Sequence, residues 1–132
     1  NEAAKKLIET TKKALTIGIG AARGDGYVGD IGAAIEKFVK PFGYGIVRDL
    51  AGHGVGYAVH EPPFVPNFGK KGKGEKLLPG MVLAIEPMLN EGTEKVVLDS
   101  DGHTYRTADG QRSAHFEHTI VITDSGAEIL TS

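Results

Sequence analysis

The chain has 132 residues, a formal net charge of −2, 40% hydrophobic and 24% charged residues, and no cysteine. Residues 1–132 therefore suit a single domain with a modest core. The composition gives no sign of a nucleic-acid-binding protein, no apolar run reaches the roughly 18 residues of a membrane span, and neither disulfide nor thiolate chemistry is available.

The first forty residues carry two helical patterns. Apolar side chains recur at helical spacing over residues 2–18, and the glycines that begin at Gly18 are predicted to end this helix. A second amphipathic helix is expected over residues 31–39, with Asp30 as its N-cap. We therefore assign Asp25 and Asp30 to turn and capping roles rather than to metal binding.

A histidine framed by glycines follows the next extended run. Residues 45–50 are predicted to form a short strand or an extended run that leads into Gly52-His53-Gly54-Val55-Gly56. Glycines on both sides of His53 permit a close approach of the backbone and leave the imidazole as the only functional side chain of the turn. A lone histidine is usually structural, so the residue pattern alone leaves both a structural and a functional interpretation of His53 open.

The second half of the chain has the pattern of strands separated by turns. Residues 61–79 hold four prolines and four lysines, and we interpret them as a solvated hairpin loop rather than an RNA-binding patch. We expect strands over residues 81–86, 95–98, 103–107, 113–123 and 128–130. Helices followed by an antiparallel sheet define an α+β fold.

Two glutamates occur within these predicted apolar strands. Glu86 ends the strand over residues 81–86, and Glu117 stands inside the run 113–123. A buried carboxylate is costly unless it is paired, and a metal ion is the simplest partner. Carboxylate oxygens with the imidazole of His53 suit Mn²⁺, Fe²⁺, Co²⁺ or Zn²⁺. No local motif joins these three residues, so the fold has to bring them together.

Three stretches together resemble the type I methionine aminopeptidases. They are Gly52-His53-Gly54-Val55-Gly56 with His60-Glu61-Pro62-Pro63, residues 79–88 with Glu86-Pro87-Met88, and residues 113–123 with Glu117-His118-Thr119. The similarity runs from about Gly29 to the C-terminus and, more loosely, through the first helix. The family has a pita-bread fold of two related halves around a two-metal site. The chain resembles its C-terminal half, which implies two N-terminal helices followed by an antiparallel sheet.

The resemblance implies a role for each candidate residue. His53, Glu86 and Glu117 would be metal ligands, with Glu117 bridging two ions. His60, on the scissile amide, and Glu86, near the attacking water, would be the catalytic residues. Substrate contacts are implied for Val59, His60, His103 and His115. The family more often has phenylalanine at the position of Val59, tryptophan at that of His103 and glutamine at that of His115.

The same resemblance implies the function and the partners. The expected activity is the removal of N-terminal methionine from peptides and nascent proteins in the cytoplasm, without membrane or nucleic-acid binding. The complete family site holds two divalent ions (Co, Mn, Fe or Zn) with two aspartates from the other half, and we expect fewer ions for this chain alone. Its partner would be that N-terminal half or a second copy of the chain. The alternative is a non-catalytic half that binds peptide or RNA, or that self-associates.

Overall fold

The computed structural model describes residues 1–56, 61–102 and 105–131, in which two helices precede ten short strands. Helix α1 is Glu2–Ala21 and helix α2 is Val28–Val39, followed by one 3-10 turn over Lys40–Phe42. The strands are β1 (Gly45–Ile46), β2 (Gly52–Gly54), β3 (Glu61–Val65), β4 (Val82–Ile85), β5 (Met88–Asn90), β6 (Val96–Leu98), β7 (Tyr105–Thr107), β8 (Ser113–His115), β9 (His118–Ile122) and β10 (Ala127–Ile129). Neither helix in these ranges is long and apolar enough to cross a membrane.

Helix α1 is longer than predicted because its glycines do not end it. The helix continues through Gly18 and Gly20 to Ala21. At Gly18 it crosses α2 so closely that a Cβ would lie 2.7 Å from Cδ1 of Ile35. The prediction that the helix stops at residue 18 is therefore wrong, since this glycine allows close helix packing instead.

The two glycines of α1 are expected to respond in opposite directions to alanine. Gly20 has no atom within 4 Å of the position of a Cβ, so Gly20→Ala should raise the free energy of unfolding by about 0.5–1 kcal/mol. Gly18→Ala should lower it by about 1–3 kcal/mol, because Ile35 has to move. Urea denaturation of both variants beside the parent measures the difference. Equal changes would contradict this account of the helix crossing.

Helix α2 begins three residues earlier than predicted, so Asp30 is not its N-cap. Asp30 lies in the first turn, where its Oδ2 accepts a hydrogen bond from Tyr27 N at 3.0 Å. Its Oδ1 accepts another from Gly72 N at 2.7 Å. Asp30 thus hydrogen-bonds the N-terminus of the helix and also connects the loop of residues 70–76 to it. The four lysines of that loop are exposed, as expected.

The strands form three antiparallel sheets rather than one. The largest has the order β10-β9-β4-β2-β3, the second has the order β1-β5-β8, and β6 pairs with β7. The predicted strand over residues 113–123 is two strands, β8 and β9, which lie in different sheets and are separated by Phe116 and Glu117. The prediction of Glu117 in mid-strand is therefore wrong. Strand β5 was not predicted, and only Gly45–Ile46 of the stretch 45–50 is a strand.

One face of the five-stranded sheet packs against the helices. Leu83 of β4 lies opposite Ile120 of β9, and both are fully buried in one cluster with residues of α1 and α2. Ile17 of α1 does not belong to this cluster and is 39% exposed. Directly paired residues of an antiparallel sheet point to the same face, so His53, opposite Ala84, lies on the face away from the helices.

Candidate metal centre

The two glutamates lie where the chain passes from one sheet to the other. Glu86 follows β4 of the five-stranded sheet and precedes β5 of the three-stranded sheet, while Glu117 follows β8 and precedes β9. Because β4 pairs with β9 and β5 pairs with β8, the two crossings lie side by side. The backbone joins them directly, since Phe116 N donates to Pro87 O at 3.3 Å. This topology brings together two carboxylates that are distant in sequence.

The histidine comes from the strand beside β4. His53 is the middle residue of β2 and lies opposite Ala84, two residues before Glu86. A Cβ at Gly52 would overlap the carbonyl oxygen of Ala84. Glycine at position 52 therefore allows β2 to lie close to β4, and this approach sets the position of the imidazole.

The side chains of His53, Glu86 and Glu117 converge at this point. One ligand atom from each residue lies within 4.8 Å of the other two, and no other such group occurs within residues 1–56, 61–102 and 105–131. His53 Nε2 is 3.2 Å from Glu86 Oε2. His53 is buried, Glu86 is half-buried and Glu117 is exposed. The site is therefore open to solvent on the side of Glu117.

The backbone selects the tautomer of His53. Its Nδ1 lies 3.1 Å from Gly54 O, and a carbonyl oxygen can only accept, so Nδ1 carries the hydrogen. The lone pair of neutral His53 is then on Nε2, the atom that faces Glu86. A metal-binding histidine is typically held in this way, with its other nitrogen donating to a carbonyl or carboxylate.

The carboxyl group of Glu86 titrates far from its ordinary range. Burial and, next, the negative charge of Glu117 raise the pKa of Glu86 from 4.5 to about 7, while His53 acts in the opposite direction. A cation bound beside this carboxyl group would favour its ionised form. Two carboxylates and one neutral imidazole carry a charge that one divalent cation balances. The donor set therefore fits a divalent metal ion.

This protonation predicts how the stability of the metal-free chain depends on pH. Because the pKa of Glu86 is higher in the folded than in the unfolded state, its contribution to stability is full below about pH 4.5 and is lost as the pH rises to about 7. The parent should lose roughly 1–3 kcal/mol relative to Glu86→Gln over that range. Urea denaturation with a chelator present measures this difference, and a constant difference would contradict the raised pKa.

The remaining predicted site residues are located only in part. His115 is exposed, and its Nε2 lies 4.0 Å from Glu86 Oε1. Val59, His60 and His103 lie outside the described residues, so their roles stay predictions. The structure adds Asn67, whose Nδ2 donates to Glu86 O at 3.2 Å. A single asparagine in a loop rich in proline and glycine gives no sequence signal for such a contact.

The match to known proteins covers nearly the whole chain. Residues 1–124 match metallopeptidase family M24. The chain therefore belongs to this family.

The curated relatives with about half of the aligned residues identical are methionine aminopeptidases of about twice this length. The chain is 51% identical over 128 residues to methionine aminopeptidase A of Synechocystis sp., covering 97% of this chain and 51% of that protein. The crystal structure of methionine aminopeptidase from Rickettsia prowazekii matches with a TM-score of 0.96 at 41% identity, covering 100% of this chain and 54% of that one. The crystal structure of methionine aminopeptidase from Thermotoga maritima matches with a TM-score of 0.93 at 47% identity, covering 97% of this chain and 51% of that one.

These matches confirm two predictions. The resemblance to the C-terminal half of the type I methionine aminopeptidases is confirmed, and so is the fold, which is half of the pita-bread fold. The chain spans about half the length of the relatives that it matches.

Proposed function

We propose that this chain is the C-terminal half of a cytoplasmic, metal-dependent methionine aminopeptidase. Such an enzyme removes the N-terminal methionine of peptides and nascent proteins. The observation that carries the proposal is the convergence of His53, Glu86 and Glu117 in a chain of family M24. The identity of about half of all aligned residues with named methionine aminopeptidases supports it.

Metal binding follows from the donor set. His53 and Glu86 would hold one ion, and Glu117 would bridge it to a second. Divalent ions bound at such a site lower the pKa of a bound water and polarise the scissile carbonyl. Cobalt, manganese, iron and zinc all suit these nitrogen and oxygen donors. Because the described carboxylates balance only one divalent ion, the second ion would depend on the two aspartates of the other half.

The chain's own side chains would handle the proton and the substrate. Glu86 would accept a proton from the attacking water and return it to the departing amine. His60 would contact the scissile amide. Val59, His103 and His115 would line the methionine pocket, and the exposure of His115 beside Glu86 supports its part in this.

The partner would be the N-terminal half, docked on a single domain formed by residues 1–132. Phe64 lies opposite His53 in the β2–β3 pair, so both point to the same face of the sheet. Phe64 is 66% exposed. This side chain would be covered if the N-terminal half docked on the face of the candidate site. A second copy of the chain is the other occupant that we consider.

The alternative function is a non-catalytic half that binds peptide or RNA, or that associates with itself. The observation that favours it is the charge of the donor set, which is two carboxylates short of a neutral two-metal site. Metal-independent peptide binding by the purified chain would support this alternative.

Peptide hydrolysis tests the proposal. The purified chain is incubated with a Met-Ala-Ser peptide and Co²⁺ or Mn²⁺ over a range of chain concentrations, alone and with the N-terminal half of a family M24 methionine aminopeptidase. We expect methionine release in the mixture. Release by the chain alone that rises steeply with concentration would indicate a working site built by two copies. No release under either condition would contradict the proposal.

A further inference from the structure

A buried asparagine contacts the backbone of the candidate ligand Glu86. Asn67 is 1% exposed and lies two residues beyond the end of β3. Its Nδ2 donates to the carbonyl oxygen of Glu86 at 3.2 Å. A carbonyl oxygen only accepts, so this contact fixes which end of the Asn67 amide faces Glu86.

The contact falls where the strand ladder is interrupted. Strand β4 ends at Ile85 and β5, which lies in the other sheet, begins at Met88. Pro87 has no backbone N–H to contribute at this crossing. Asn67 reaches the crossing from the far side of β2, since the order of the sheet there is β4-β2-β3. A side chain thus provides a hydrogen bond at the point where the two sheets separate.

The residues on either side of Asn67 pack closely against helix α2. Helix α2 approaches this segment through Gly32, where a Cβ would lie 2.8 Å from Pro66 O and would overlap the carbonyl of Phe68. The segment around Asn67 is therefore packed against the helix by its own backbone. An amide held in this way can fix the position of the group that it contacts.

Asparagine at position 67 carries a cost in folding stability. Its Oδ1 is buried without a hydrogen-bond partner, and an unsatisfied buried polar atom is destabilising. An apolar side chain of similar shape would avoid that cost. The other such case among the described residues is Asn90, which is fully buried, donates through Nδ2 to Thr93 O at 2.9 Å, and also has an unpartnered Oδ1. Asn90 makes this contact away from the ligand carboxylates and is a matched control.

We propose that Asn67 is a positioning residue for Glu86, whose carbonyl it anchors so that the carboxylate faces His53 and Glu117. This role rests on the proposed metal site. Asn67 acts through the backbone of Glu86 and does not itself bind the ion. Its loss should therefore weaken metal binding out of proportion to its effect on stability.

Metal titration of paired variants tests this role. Asn67→Leu keeps the branched shape but removes both the unpartnered oxygen and the donor to Glu86 O. Asn90→Leu removes an unpartnered oxygen and the donor to Thr93 O in the same way, so it is the control and should change stability by a similar amount. Asn67→Ala and Asn90→Ala form a second pair. Co²⁺ binding to each full chain is measured by calorimetry, the absorption bands of bound Co²⁺ report the ligand geometry, and urea denaturation reports stability. We expect about 10- to 100-fold weaker binding and shifted bands in both Asn67 variants, with changes below twofold in both Asn90 variants.

Each outcome of this experiment is decisive. Glu86→Ala serves as the reference for loss of a ligand. If the parent binds Co²⁺, Glu86→Ala does not, and the Asn67 variants bind as the parent does, the positioning role is wrong while the metal site stands. Equal losses of Co²⁺ affinity in the Asn67 and Asn90 variants would show that both residues have only a structural role, and would also contradict the proposal. A parent chain that binds no Co²⁺ would overturn the metal site and the role of Asn67 with it.

Discussion

Replacing Glu117 with alanine is expected to reduce methionine release by about a thousandfold or more in the assembly of this chain with an N-terminal half. Glu117 stands between β8 and β9, beside Glu86, and is the proposed bridge between two ions. The substitution removes one of the two negative charges of the donor set. Because Glu117 is exposed, its loss leaves no buried cavity, and the stability of the metal-free chain should change little. The measurements are initial rates of Met-Ala-Ser hydrolysis and the urea denaturation midpoint.

The control for this variant is Glu128→Ala. Glu128 is an exposed carboxylate on β10, the strand next to β9. The Glu128→Ala substitution removes the same charge from a neighbouring strand. It should leave the rate within about twofold of the parent, since surface substitutions away from a site have small effects. Retained activity in Glu117→Ala, or an equal loss in Glu128→Ala, would be incompatible with the proposed bridging role.

Gly52→Ala is expected to lower both the stability of the fold and the affinity of the metal site. The added methyl group would overlap the carbonyl oxygen of Ala84 and lie 3.2 Å from Cβ of Val65. Backbone atoms cannot move aside as a flexible side chain can, so β2 has to separate from β4. We expect the free energy of unfolding to fall by about 2–4 kcal/mol. The affinity for Co²⁺ should also fall, because His53 is the next residue.

Gly126→Ala is the matched control in the same sheet. Gly126 lies in the turn between β9 and β10, and no atom lies within 4 Å of the position of a Cβ. This variant should stay within about 0.5 kcal/mol of the parent and bind Co²⁺ equally well. Urea denaturation and calorimetry on the two variants provide the comparison. A Gly52→Ala variant as stable as Gly126→Ala would show that the close approach of β2 and β4 is not needed.

The sequence was sufficient for the class of the fold and the identity of the converging residues. Helical periodicity identified α1 and α2, and β-branched runs identified most of the strands. The two glutamates stood out because they were predicted within apolar strands, while the residue pattern left the role of His53 open until the resemblance to a family assigned it. Their proximity was not readable from spacing, since it depends on the pairing of β4 with β9 and of β2 with β4. The resemblance to a family supplied that information.

The errors have a common physical cause. Gly18 was interpreted as a helix terminator. It lies inside the helix instead, where the absence of a side chain lets α1 pack closely against Ile35 of α2. Glu117 was predicted in mid-strand, but the strand changes sheets at that residue. The hydrogen bond from Asn67 to Glu86 was missed as well. In each case tertiary contacts between distant segments decide the outcome, and local propensity does not report them.

The most direct test of the central claim is the anomalous scattering of zinc in crystals of this chain grown with ZnCl₂. We expect a zinc peak bounded by His53 Nε2 and carboxylate oxygens of Glu86 and Glu117, at about 2.0–2.2 Å from each. The same crystals of Glu117→Ala should show a weaker peak or none at this position. Strong zinc peaks only at other sites, with the three side chains unliganded, would contradict the account.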